Sequence, residues 1–195
     1  MLSLSLMVSS MVQRIVSVFI LVVALMLGGC GANAATGLQA YVDSIDGYEF
    51  LYPTGWVQVD VSGNADVVFH DIIQTSENVS VVVSQTSSNK TLTDLGSPEE
   101  VGQRLLRNVI APQESGRNAE LLSAAAAEIG PKTYYSLEYL VQIPAANGEF
   151  QERHNLSTIA VSRGKVFTLS VSAPEGRWPK VENRYQQIAQ SFSVY

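Results

Sequence analysis

Between Thr133 and Ala173, three stretches of alternating polarity follow one another with very little between them. In the first, Tyr135, Leu137, Tyr139, Val141 and Ile143 alternate with more polar neighbours, the period-2 signature of a half-buried strand. Asn147-Gly148, two residues that tolerate positive φ, leads into the second, Phe150 to Ser162. Arg163-Gly164 then turns the chain into the third, Lys165 to Ala173. Connections this short cannot carry a parallel crossover, so the three strands must form an antiparallel meander. Whatever this chain folds into is built around that meander.

Upstream, Tyr48 to Tyr52, Trp56 to Val59 and Val67 to His70 are brief strand candidates, broken by Pro53-Thr54-Gly55 and Ser62-Gly63-Asn64. Asn78 to Gln85 is a better one, with Val79, Val81 and Val83 on one face. A helix start is well signalled at Ser97-Pro98-Glu99-Glu100: an N-cap serine, proline at the first helical position and a glutamate able to close a capping box. Val101, Leu105 and Val109 recur at every fourth residue, with Leu106 widening the stripe, and Pro112 helps end the element. Glu120 to Ile129 is alanine-rich and fits neither period firmly. From Pro179 to Phe192, the residues Val181, Tyr185, Ile188 and Phe192 lie at helical spacings. The expected architecture is α+β: a single antiparallel sheet flanked by helices.

The N-terminal part has a different character. Arg14 precedes Ile15 to Leu27, an apolar run interrupted only by Ser17, which matches the hydrophobic core of a secretory signal. It is too short to span a bilayer comfortably, which takes about 20 apolar residues. The run ends at Leu27-Gly28-Gly29-Cys30, which holds the one cysteine of the chain and resembles the signal ending of bacterial lipoproteins. That resemblance implies a diacylglyceryl group on the Cys30 thiol and cleavage just before it, and two or three acyl chains anchor firmly where one does not. An ordinary export signal cut near Ala32-Asn33-Ala34 is the alternative. The chain therefore divides into a signal peptide at 1–29, a lipidated N-terminus and flexible leash at 30–46, and one folded domain at 47–195. After cleavage 11 basic residues face 18 acidic ones, a balance that excludes a phosphate-neutralising nucleic-acid binder.

Several phrases in this order resemble the PsbP family of photosystem II extrinsic proteins, in particular its cyanobacterial lipoprotein branch. They are Tyr48-Glu49-Phe50 with Tyr52-Pro53 and Trp56, then Asn78-Val79-Ser80-Val81, then Gly96-Ser97-Pro98-Glu99, then Arg177-Trp178, and at the end Ser191-Phe192-Ser193-Val194. The resemblance runs from about Tyr48 to Val194. It implies an α/β/α sandwich of PsbP type and a non-enzymatic protein on the lumenal side of the thylakoid membrane. Such a protein is held there by its lipid and docks on photosystem II subunits, as a monomer in isolation. Plant members carry a longer N-terminal segment linked to calcium and chloride retention. With only a short leash after Cys30, assembly or stabilisation of the oxygen-evolving complex is the expected role. The alternative is a lipoprotein on the periplasmic face of the plasma membrane that binds a small ligand or metal and has no photosynthetic partner.

Chemistry-bearing residues are few. The two histidines, His70 and His154, come with no G-x-S-x-G, H-E-x-x-H, P-loop, dinucleotide or EF-hand motif, so no catalytic residue is assigned. No cofactor is required. The resemblance to plant PsbP proteins implies a divalent-ion site of one histidine and one carboxylate, which falls on His154 and on Glu175, where the plant pattern has aspartate. A two-residue turn at Arg163-Gly164 would set His154 opposite Ala173 and Glu152 opposite Glu175, placing all three on one face. Such a set would hold zinc, manganese or calcium weakly, with solvent completing the shell. Asp71 beside His70 points to the opposite strand face. Trp56, Trp178, Tyr135 and Tyr139 are expected to pack in the core. Arg177, Lys180 and Arg184, along the last helix, are candidates for contact with acidic partner loops.

Overall fold

The structure is a computed structural model that describes residues 37–60, 63–87, 90–145 and 147–195. Cys30, the signal peptide and the first part of the leash lie outside the described residues. The meander is present as expected: β7 (Lys132–Pro144), β8 (Phe150–Ser162) and β9 (Lys165–Pro174) are antiparallel neighbours. Arg163 and Gly164 both take positive φ, 50° and 70°, and close a two-residue hairpin that pairs Ser162 with Lys165. This is the mirror-image turn whose twist matches the strands it joins. The register then runs without slip to His154 opposite Ala173. The Asn147-Gly148 hairpin is wider than its sequence suggests, because pairing resumes only at Pro144 with Phe150.

The meander is the middle of a seven-stranded sheet in the order β3-β4-β5-β9-β8-β7-β6. Its other strands are β3 (Trp56–Gln58), β4 (Ala65–Asp71), β5 (Asn78–Gln85) and β6 (Asn118–Ile129). A second, three-stranded sheet has the order β1-β2-β10, from β1 (Leu38–Asp43), β2 (Tyr48–Pro53) and β10 (Ser193–Val194). The architecture is thus α+β and antiparallel, with the pairing divided between two sheets. Leu38–Asp43, which the sequence places in the leash, is strand: Leu38 is buried, and Tyr41 packs against Tyr48, Phe50 and Phe69. The alanine-rich segment is strand as well. Alanine favours helix only by tenths of a kcal/mol per residue, and the unbroken pairing of Ser123–Ile129 with β7 outweighs that.

Two helices cover the large sheet on opposite faces. Helix α1 (Pro98–Leu105) begins with the expected capping box, Ser97 accepting from the Glu100 N–H and the Glu100 carboxylate accepting from the Ser97 N–H. It continues as a π turn over Leu106–Ile110. Within this wider turn Leu106 stays buried, while Val109, expected on the apolar stripe, is rotated out and exposed. Beneath α1 lies a core of Leu106, Tyr135, Leu137, Tyr139, Val141 and Ile159. Helix α2 (Trp178–Gln190) and the small sheet cover the other face, over a larger core that includes Tyr48, Phe50, Phe69, Val79, Leu169 and Ile188. The four aromatics Trp56, Trp178, Tyr135 and Tyr139 are all buried, as the sequence reading expects.

Candidate functional site

The meander places His154 on β8 directly opposite Leu140 of β7 and Ala173 of β9, on the face covered by α2. Glu138 is two residues along β7 from Leu140 and therefore on the same face, within diagonal reach. After Pro174 the backbone leaves the sheet in a 3-10 turn, Glu175–Arg177, which folds Glu175 back over His154 and delivers Trp178 as the first residue of α2. The result is an imidazole held on every side. Its Nε2 lies 2.8 Å from Glu138 Oε1, its Nδ1 lies 2.7 Å from Glu175 Oε2, and its ring stacks on the Trp178 indole at 3.8 Å with planes 7° apart.

Of the three residues expected to form a metal site, His154 and Glu175 meet and Glu152 does not. Strand pairing between β8 and β9 stops at Arg153 with Pro174, so the expected pairing of Glu152 with Glu175 never forms. Glu152 instead accepts from the Gln142 side-chain amide at 2.9 Å, out at the exposed end of the sheet. Glu138 takes its place. Sequence reasoning missed Glu138 because its proximity depends on the register between β7 and β8, which the wider hairpin sets.

This arrangement decides what the imidazole can do. With a carboxylate oxygen at hydrogen-bond distance from each ring nitrogen, 2.8 Å at Nε2 and 2.7 Å at Nδ1, neither nitrogen is open to a metal ion, which needs a free lone pair. As arranged, the residues do not fit a zinc, manganese or calcium ion. They form a carboxylate–imidazole–carboxylate clip that ties β7, β8 and the start of α2 together. The side chain of His154 is 6% exposed, and those of Glu138 and Glu175 are 33% and 40% exposed.

Arg177, a candidate for contact with partner loops, is 36% exposed and is also engaged within the fold. Its Nε donates to the buried Glu77 carboxylate, whose other oxygen accepts from the Tyr185 hydroxyl at 3.3 Å. Burial first, and then the Glu77 charge, push the Tyr185 hydroxyl well above the ordinary tyrosine range. Lys180 and Arg184 are exposed on α2. His70 sits half-buried on β4, while its neighbour Asp71 turns the other way and accepts from the Trp56 indole N–H at 3.0 Å. Among the described residues, Asp43, Asp46 and Asp66 bring carboxylate oxygens within 4.8 Å of one another. Each already has a partner: the Ile45 and Asp46 N–H groups on Asp43, Lys165 on Asp46, and the Tyr48 hydroxyl on Asp66.

Set against known proteins, residues 36–194 match the profile of the PsbP family. The chain belongs to the PsbP family. Among its relatives, CyanoP of Thermosynechococcus vestitus is 61% identical over 185 residues, covering 95% of this chain and all of that protein. The chloroplastic PsbP-like protein 1 of Arabidopsis thaliana is 36% identical over 84% of this chain and 67% of its own length. The PsbP fold agrees too: the solution structure of CyanoP from Synechocystis superposes with a TM-score of 0.70 at 44% identity, over 87% of this chain and 99% of that one. Among the described residues, no helix of this PsbP-family chain is long and apolar enough to cross a membrane.

Proposed function

We propose that this protein is a non-enzymatic extrinsic protein of photosystem II. In this reading it is anchored by lipid at Cys30 on the lumenal side of the thylakoid membrane and acts in assembly of the complex or in support of its oxygen-evolving centre. The observation that carries this reading is the match of the whole folded body to CyanoP of Thermosynechococcus vestitus, at 61% identity.

The test is to express the tagged chain in a cyanobacterium, separate thylakoid membranes, and run detergent extracts on native gels. Migration with photosystem II or one of its assembly intermediates, together with a diacylglyceryl mass on Cys30, is the expected result. A protein released by salt alone, cut after Ala34 and absent from every photosystem II band, would overturn the proposal. A membrane-bound protein free of photosystem II would favour the periplasmic alternative.

A further inference from the structure

The large sheet ends on one side at β3, a strand of three residues, and on the other at β6, a strand of 12. Among the described residues nothing pairs beyond β6, so its outer N–H and C=O groups form an open row. Proteins commonly blunt such an edge with lysine, proline or a bulge. Here the bulge lies between Leu121 and Ser123, and beyond it Ser123–Ile129 runs in unbroken register with β7. That half has no basic residue and no proline, and its Ala124–Ala127 side chains end at Cβ, which leaves the backbone accessible from both faces.

On the α2 face, this edge borders a groove of about 360 Å³ between the sheet and the helix. Ala127, Tyr134, Leu156, Trp178 and Phe192 supply an apolar floor and walls. The one charged residue in the lining is Glu138, whose Oε2 faces Ser123 at 3.3 Å while Oε1 serves His154. One helical turn before the lining residue Gln186, and outside the lining itself, Glu182 accepts from the Gln186 side-chain amide.

We infer that β6 and this groove form a strand-addition site for an extended segment of a partner protein whose groove-facing side chains are apolar with one lysine or arginine among them. The open edge supplies the backbone hydrogen bonds, and a strand's period of two drops every other side chain into the groove, with a basic one beside Glu138. Net charge disfavours a second copy of this chain. The protein is acidic overall, and antiparallel pairing of two copies about Ala124 would set Glu120 against Glu128. The site gives the docking protein proposed above a contact surface, and its existence can be tested apart from the identity of that partner.

The probe is a capped heptapeptide with serine at its four outward positions and valine, lysine and valine at its three inward ones, added to the chain as its host makes it, in detergent micelles, with hydrogen exchange followed by mass spectrometry. Exchange in 118–129 should slow by about tenfold as the open row becomes paired. A peptide with proline at its centre, one with glutamate in place of the lysine, and an Ala127→Lys protein should each lose the protection. Glu138→Gln should weaken binding by about threefold, the size of one partly exposed charge contact. Equal protection by the proline peptide, or none at about 1 mM of the lysine peptide, would overturn the inference. So would protection of β6 that rises with protein concentration alone, which would assign the edge to a second copy. Protection by the peptide without migration on photosystem II would leave the edge standing and remove only the proposed partner.

Discussion

Replacing His154 tests whether the two carboxylates around it hold the fold together. A hydrogen bond to an ionised group contributes about 1.5 to 3 kcal/mol when shielded. Glu138 and Glu175 are a third or more exposed, so solvent screening brings each contact down to about 1 kcal/mol. His154→Phe keeps a ring stacked on Trp178 and loses both hydrogen bonds, which predicts a cost of about 2 kcal/mol. His154→Ala also removes a buried ring and leaves a cavity, for a total of about 4 kcal/mol. With a urea dependence near 2 kcal/mol per molar, the Phe variant should unfold about 1 M earlier, followed by tryptophan fluorescence. Added salt should recover part of that loss, since the two carboxylates would face each other without an imidazole between them. A Phe variant whose midpoint falls within about 0.2 M of the parent would refute the reasoning and reduce the clip to a coincidence of packing.

Two further outcomes follow from buried polar groups elsewhere in the fold. Arg177→Ala leaves the 4% exposed Glu77 without its cation and should cost about 2 to 3 kcal/mol by urea unfolding, whereas a double change with Glu77→Gln should recover much of it. Stability should also fall at alkaline pH. Burial raises the hydroxyls of Tyr48, Tyr139 and Tyr185 above the ordinary value of 10.0, with the Asp66 and Glu77 carboxylates adding to it at Tyr48 and Tyr185. A raised folded value means that this stability is present below about pH 10 and is lost above it, as the unfolded chain ionises first. The urea midpoint should therefore hold up to about pH 10 and drop beyond it, less steeply in Tyr185→Phe; a flat profile would contradict the burial of these hydroxyls.

The phrases that link this chain to its family turn out to be largely structural. Tyr48 and Phe50 form part of the larger core, Arg177 neutralises a buried glutamate, and Trp178 stacks on His154. Both ends of the Arg177-Trp178 pair fix where α2 leaves the sheet. Exposed surface lies elsewhere, on the part of α2 that carries Lys180 and Arg184 and along the edge strand β6. That separation suits the docking role proposed above, in which the scaffold stays constant while exposed surface varies.

Local chemistry was enough to determine the meander, the Ser97 capping box and the last helix, because period, turn residues and capping are properties of a few neighbouring residues. It also placed His154 opposite Ala173, since a two-residue turn fixes register by counting. What local chemistry could not determine was anything that depends on a partner far along the chain. Leu38–Asp43 is strand only because β2 pairs with it, and Ala124–Ala127 is strand only because β7 does, against the helical preference of alanine. The carboxylate pair on His154 was decided in the same way: a wide hairpin set Glu138 beside the ring, and a 3-10 turn carried Glu175 over it while Glu152 was left at the sheet's end. Register across long loops and the path of the chain after a strand are tertiary quantities, and here they settle which side chains meet.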